Sequence, residues 1–514
     1  MISYIEWIKK SVGLCLENPE RTEEQRAEQF GILEQEYLAM SAEEQKAISE
    51  VMLSQFEVND LIFVGSYFMK YMKQIKTFQA DMLTAVLRGK YDAYIGSMLE
   101  CNITHNLDGH YGEKRLLHRQ NAERFDRILD IKFPYLPFAQ RNKKRIVIIA
   151  EQIMFLQHAP TKMVLEYIYI LQEYLGYEIL LFACPCDGFL TENLWNSGQY
   201  LRRMTRDEFV NEAIRVFYRG AEIFGYQINM TKFGPKEYNM MFSMIYAFNP
   251  LFVFQCGVSN PVADLARKFT TVVSMPMSIQ AAVSDADILI RNGGRLSEEI
   301  EAEYEEALIE NQVQLFERGA EVSFEASAEK QERPELGLPE DKFLIAVVGN
   351  RLDEELDEEF IGVMKSILER TENTAIVTVG DMNEKKDLFA GTEFENRMYH
   401  LEWQKNLLKT YTALDLYLNP NRNGGGHSGL MAVVSGIPVV TLPGNDVASN
   451  AGERFVVADY DEMVREVCRY VTDEEYYRLQ SEAALEYVQK NTAEKQVKDM
   501  KKMLDSIIKI MEEK

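Results

Sequence analysis

The sequence predicts an α/β protein in which two doubly wound lobes follow an all-α domain. Three observations point there. Residues 1–140 carry helical periodicity with few strand signals. From Ile146 the pattern switches to alternating apolar strands and helices, and a second alternating run begins at Leu344. Within that second run, residues 415–442 spell strand, glycine loop, helix, strand. That unit offers backbone N–H groups at a helix N-terminus to an anion.

In the first domain, 1–140, Glu23–Met40 and Ala42–Phe56 are amphipathic, and Ser41 is placed to cap the second. Ile62–Leu87 is rich in aromatic residues and methionine, including Phe63, Tyr67, Phe68 and Tyr71, which fits a bundle core. Pro134 and Pro137 end the helices. The first lobe, 141–335, opens with a strand over Ile146–Ala150 and a helix over Val164–Leu175 that Gly176 stops. Strands over Glu178–Ala183, Leu251–Gln255, Thr270–Met275 and Ile288–Ile290 follow, with a helix over Arg206–Arg219. Glu298–Lys330 is acidic and partly helical, and Arg333 to Pro339 has the look of a linker.

The second lobe, 336–470, predicts strands over Leu344–Val348, Ala375–Val379, Asp415–Asn419 and Val439–Leu442. Helices over Glu359–Arg370 and Asn406–Ala413 separate them, and a short helix after the glycines stops at Gly436. The tail, 471–514, is helical and amphipathic and is expected to pack on the lobes. A cleft between two such lobes is the natural place for a ligand.

Composition excludes several classes. At 514 residues the chain is too long for one core. A net charge of −25 repels nucleic acid and anionic membranes. It repels an anionic substrate too, so a phosphate site must be locally positive or built from backbone dipoles. No run of about 20 apolar residues and no secretory leader is present, so a cytoplasmic protein without membrane insertion is expected. Six cysteines make no disulfide framework, and Cys184-Pro-Cys186 lacks metal-ligand spacing. His105, His110, His118 and His400 show none either. Asp285-Ala286-Asp287 precedes a strand instead of ending one, so no metal and no cofactor is expected. Homo-oligomer formation stays open.

The residues suited to chemistry begin with Gly424, Gly425 and Gly426, which permit positive φ and close backbone approach. Ser428 near the helix start is placed to cap it or to give a hydroxyl to a phosphate. A helix dipole alone supplies only about 0.3–1 kcal/mol, so a cation is needed. Arg351, following the strand Leu344–Val348, is placed to be that cation. His158, a few residues beyond the strand Ile146–Ala150 and just before Pro160 and Thr161, stands at a helix N-terminus. The dipole there keeps an imidazole neutral, as a general base must be. Lys162 is an alternative contact for phosphate or acceptor.

The segment NPNRNGGGHSGLMAVVSGIPVVTLPGNDVASNAG resembles the donor-binding signature of GT-B glycosyltransferases. It is most similar to the O-GlcNAc transferase type and to the bacterial cytoplasmic N-glycosyltransferases of adhesins. The motif match covers about residues 345–455, while the domain plan is similar over the whole chain. The resemblance implies the GT-B fold, with two Rossmann-like lobes. It implies that Gly425, Gly426, His427, Ser428 and Gly429 hold the diphosphate of a UDP-sugar, with Gly424, Asn419 and Asp446 also at the donor site. Gln404 or Lys405 would face the uracil, and Asn350 and Arg351 would lie on the loop that bears the pyrophosphate-binding cation. His158 would stand on the acceptor side. The chain departs from the pattern at Asp353, where the O-GlcNAc type has lysine, and at Met431, where a ribose-binding acid is expected.

The expected activity is metal-independent transfer of a hexose or N-acetylhexosamine from a UDP-sugar to a protein, peptide or other nucleophilic acceptor. Backbone N–H groups and Arg351 would stabilise the leaving diphosphate, and His158 would act as base. A non-catalytic GT-B interaction or chaperone subunit is the alternative, as is a sugar-nucleotide epimerase. The sugar, the acceptor and the stereochemistry stay open.

Overall fold

The computed structural model describes residues 3–16, 23–72, 75, 83–107, 109–151, 153, 159–184, 212–227, 235–277, 281–291, 297–316, 327–422, 424–489 and 493–513. The chain forms two compact units. One comprises residues 1–292, 296–318 and 503–514, and the other comprises 293–295 and 319–502.

In the first unit the helices Tyr4–Leu16, Glu23–Leu38, Ala42–Gln55 and Val58–Tyr71 bury Trp7, Phe30 and Phe68. The Trp7 indole donates to the Leu33 carbonyl at 2.8 Å, and Phe30 stacks on Tyr71 with ring centroids 4.8 Å apart. Ser41 forms a capping box with Glu44. The helices Ala93–Asn106 and Tyr111–Ile128 continue the layer, but Ala93, Tyr111 and Phe125 share a core with Val147, Ile149 and Phe182 of the sheet.

That sheet has eight strands: β1 Arg145–Ala150, β2 Glu178–Ala183, β3 Glu212–Tyr218, β4 Ala221–Gln227, β5 Phe252–Cys256, β6 Val272–Met275, β7 Ile288–Ile290 and β8 Val313–Leu315. Their order is β3-β4-β2-β1-β5-β6-β7-β8, parallel except for the antiparallel β3–β4 pair. The helix expected over Arg206–Arg219 is corrected here, because the described part from Glu212 is β3. Arg219 and Gly220 both adopt positive φ, 50° and 84°, and turn the chain straight back into β4. That two-residue turn lets Val216, Tyr218 and Ile223 pack as a hairpin, which overrides the helical spacing of the charges. Strand β8 was not expected, since three residues carry little periodic signal.

The second unit holds a parallel sheet of β9 Phe343–Gly349, β10 Thr374–Gly380, β11 Met398–Leu401, β12 Leu416–Leu418 and β13 Val439–Val440, in the order β11-β10-β9-β12-β13. Both faces are covered. Ile345 and Val347 of β9 pack with Phe360, Met364 and Val467 on one side, and Leu344, Ala346 and Val348 pack with Val433 and Val447 on the other. The stretch from Arg333 is part of this unit. Arg333 pairs with Asp415 at 2.7 Å and donates to the carbonyls of Ala413 and Lys342.

Candidate functional site

In the second unit the chain runs from β9 outwards to β10 and β11, then returns to the other flank of β9 as β12. The crevice at the carboxyl ends of β9 and β12 is therefore the topological switch point, where open α/β sheets bind ligands. The glycine turn stands there. Gly424 and Gly425 have φ of 100° and 79°, and Gly425 is the N-cap of the nine-residue helix Gly426–Val434. The first N–H groups of such a helix have no acceptor within it.

The other glycines serve packing. A Cβ on Gly429 would stand 2.7 Å from Val447, and one on Gly426 would stand 3.0 Å from the Asp446 carbonyl. Both lie against the helix Asp446–Ala451, and only glycine lets the two helices come so close. Asp446 also shapes the turn, accepting the Gly424 N–H at 2.8 Å. Ser428 is not the cap. Its hydroxyl donates to the Gly425 carbonyl at 2.7 Å and meets the Tyr417 hydroxyl at 3.1 Å. The His427 side chain is half-buried at the second helical position.

Beneath the turn lies a residue that sequence reasoning missed. Arg422 is buried, and its guanidinium fills the crevice. It pairs with Glu355, donates to the Val348 carbonyl at 2.5 Å, to the Tyr417 hydroxyl at 2.9 Å and to the Asn419 carboxamide at 3.1 Å. A Cβ on Gly349 or Gly425 would strike it, at 2.5 and 2.7 Å. Asn419 is itself fully buried, and its NH₂ group donates to Thr441 at 3.1 Å. Its place is in the support of the turn.

Arg351 lies on the turn's outer side. It is 48% exposed and pairs with Glu355 at 3.2 Å, so that one carboxylate serves two arginines. Its guanidinium lies 3.7 Å from where a Cβ of Gly424 would be. The two sequence-derived candidates for diphosphate binding are thus neighbours within one unit. Asn350 is exposed beside Arg351. Asp353, standing where the resemblance wants lysine, is a structural carboxylate. It accepts the N–H groups of Asn383, Glu384 and Lys385 at 2.8–3.0 Å and fixes the loop after β10. Met431 packs on the apolar core of the unit.

Beyond β11, the Gln404 amide donates to the Glu402 carbonyl at 2.8 Å, and Lys405 is exposed. His400 meets Thr378 at 3.1 Å, and burial together with Lys386 lowers its pKa. His158 lies outside the described residues.

The sequence matches no protein-family model and no curated protein. Solved structures do match. A point mutant of the O-GlcNAc transferase of Thermobaculum terrenum superposes with a TM-score of 0.54 at 13% identity, over 99% of this chain and 98% of that one. A glycosyltransferase from Rickettsia africae gives 0.49 at 12% identity, covering 72% of this chain and 99% of its own. HepE of Anabaena, solved in complex with UDP and glucose, gives 0.46 at 11% identity, over 71% and 99%. The fold is that of the GT-B glycosyltransferases.

The first GT-B lobe has a switch point of its own. The chain leaves β1 for β2 on one flank and returns as β5 on the other. Glu151, directly after β1, occupies this crevice. Its backbone N–H donates to the Cys256 carbonyl at 2.9 Å, and its carboxylate accepts the Val258 N–H at 3.1 Å. Behind it, His118 is wholly buried between Glu100 at 2.6 Å and Asp264 at 2.7 Å. Burial pulls the imidazole towards neutrality, but the two carboxylates more than offset it and carry the pKa up to about 10. Asp264 also accepts the Ser284 hydroxyl at 2.9 Å and the Asp285 N–H at 2.6 Å. Asp285 is tied to Asp264 through its backbone N–H, and the Asp287 carboxylate accepts the Val272 N–H at 2.9 Å. Lys162 on the helix Ala159–Tyr169 is half-buried, which brings its pKa down to about 8.

Among the described residues, no group of three His, Cys, Asp or Glu side chains is placed to hold a metal ion, and no helix is long and apolar enough to cross a membrane.

Proposed function

We propose that the protein is a metal-independent glycosyltransferase that moves a hexose or N-acetylhexosamine from a UDP-sugar to a polypeptide or another nucleophilic acceptor. The observation that carries this reading is the approach of the Arg351 guanidinium to Gly424, beside the left-handed turn that opens the helix Gly426–Val434. Donors at a helix start together with an arginine match what a departing diphosphate needs, since its charge grows as the glycosidic bond breaks. Arg351, the backbone of 425–429 and Asn350 would bind the diphosphate, with Asp446 and Arg422 holding the turn in shape. Gln404 or Lys405 would flank the base, and His158 is retained as an acceptor-side residue.

A non-catalytic, donor-binding subunit is the second reading. It rests on Met431, which gives the core an apolar side chain where a ribose-binding acid was expected. Titration with UDP, GDP and ADP, followed by UDP-sugar turnover in the presence of EDTA, tests both readings. The proposed enzyme binds UDP in preference and releases UDP from a UDP-sugar in EDTA. Binding without turnover selects the subunit, and turnover that EDTA abolishes refutes the metal-free mechanism.

A further inference from the structure

We propose that Glu355 is a specificity-determining residue, which makes the site favour a sugar-bearing nucleoside diphosphate over the free diphosphate. The inference rests on the donor-binding reading of the glycine turn and adds a discrimination between the substrate and the product of the transfer. Every residue it uses belongs to the second unit.

Glu355 ends the short helix Leu352–Glu355, and its N–H donates to the Arg351 carbonyl at 2.9 Å. Its side chain is 8% exposed and divides its oxygens between two arginines. Oε2 pairs with the buried Arg422, and Oε1 pairs with the half-exposed Arg351 at 3.2 Å. The same guanidiniums flank the turn. That of Arg351 lies 3.7 Å from where a Cβ of Gly424 would be, and that of Arg422 lies 2.7 Å from where one of Gly425 would be. The carboxylate therefore stands directly behind the place proposed for the diphosphate. Strand β9 makes room for it, since a Cβ on Gly349 would come within 2.5 Å of both Glu355 Oε2 and Arg422 Nη1.

Neutralising Arg422 explains one oxygen, because a buried guanidinium without a carboxylate is costly. The other oxygen is spent on Arg351, which water already solvates, and such a pair adds little to stability. Its effect falls on an incoming anion. Two guanidiniums and one carboxylate leave a single positive charge at the turn. Arg422 is fixed by the Val348 carbonyl at 2.5 Å and the Tyr417 hydroxyl at 2.9 Å, so the carboxylate paired with it is held in place as well.

Both phosphates of a sugar-bearing nucleoside diphosphate are esterified and carry one charge each. The free diphosphate ends in a phosphate that takes on a second charge near neutral pH. Glu355 repels that extra charge, so it loosens the product more than the donor.

The test is calorimetric titration of the full chain with UDP, UDP-glucose and UDP-N-acetylglucosamine. Glu355→Gln keeps an oxygen able to accept from Arg422 while it removes the charge. We expect this variant to bind UDP roughly ten-fold more tightly than the parent does, and the UDP-sugars by a smaller factor. Glu355→Asp sets the charge one methylene further from the arginines, and should shift the preference in the same direction by less. A preference between UDP and the UDP-sugars that stays at the parent's value in Glu355→Gln overturns the inference. Equal weakening of all the ligands overturns it too, because a structural role moves them together. Should Glu355→Gln not fold, Glu355→Asp decides alone, and an unchanged preference there overturns the inference. A parent protein that binds none of these ligands refutes the donor-binding reading instead.

Discussion

The two lobes each have a switch point beside the first strand of the sheet, and they place different side chains in it. In the first, a carboxylate lies in the crevice and a glycine on the neighbouring strand end makes room for it, Glu151 against Gly257. In the second, a guanidinium lies in the crevice and two glycines make room for it, Arg422 against Gly349 and Gly425. The comparison teaches that a doubly wound sheet specifies where a site lies but leaves its chemistry to one or two side chains just past the strand ends.

The comparison breaks most severely at Arg422. Arg422→Met leaves Glu355 buried with Arg351 as its remaining ion-pair partner, and should cost about 4–5 kcal/mol of stability in denaturant unfolding. Replacing Glu355 by leucine at the same time should recover part of that loss. The first lobe offers the converse test. His118→Asn should cost about 3 kcal/mol at pH 6. The sign of its pH dependence follows from a folded pKa of about 10 against an ordinary 6.5. The stabilisation by His118 is complete below pH 6.5 and is lost as the pH rises towards 10. The parent should therefore lose stability across that window, and the variant should show a flatter profile. The smallest effect sharpens the contrast instead of breaking it. Arg351 is half-exposed, so Arg351→Ala should leave stability nearly unchanged yet cost about 2–3 kcal/mol in kcat/KM for a UDP-sugar.

Much of this was legible in the sequence. The period switch at Ile146, the glycine turn and the arginine after β9 all rest on local patterns, and the structure brings Arg351 to the turn that was expected to need it. The capping box at Ser41 was legible for the same reason. Arg422 was not. Within NPNRNGGG it looks like loop filler, and only its partners Glu355, Val348 and Tyr417, distant in sequence or on a neighbouring strand, reveal that it is buried. A lone arginine among asparagines and glycines at a strand end was the available signal. Glu151 and His118 were hidden likewise, because Glu100, His118 and Asp264 meet across 164 positions of chain. The β3–β4 hairpin failed for a different reason. Its charges keep helical spacing, and the Arg219-Gly220 turn that decides the matter is only two residues long.

The glycine turn has a consequence for binding kinetics. Attraction by backbone dipoles and an arginine already paired with Glu355 fades within a few ångströms, whereas the repulsion from a chain of net charge −25 reaches as far as the solution allows. That reach is about 30 Å at 0.01 M salt and about 8 Å at 0.15 M. A dianionic ligand is therefore turned away at low ionic strength before it can feel the turn, and added salt shortens the repulsion while sparing the contact. If the chain binds a UDP-sugar as proposed, salt would act as an admission control, and association of that ligand should quicken as ionic strength rises towards physiological values.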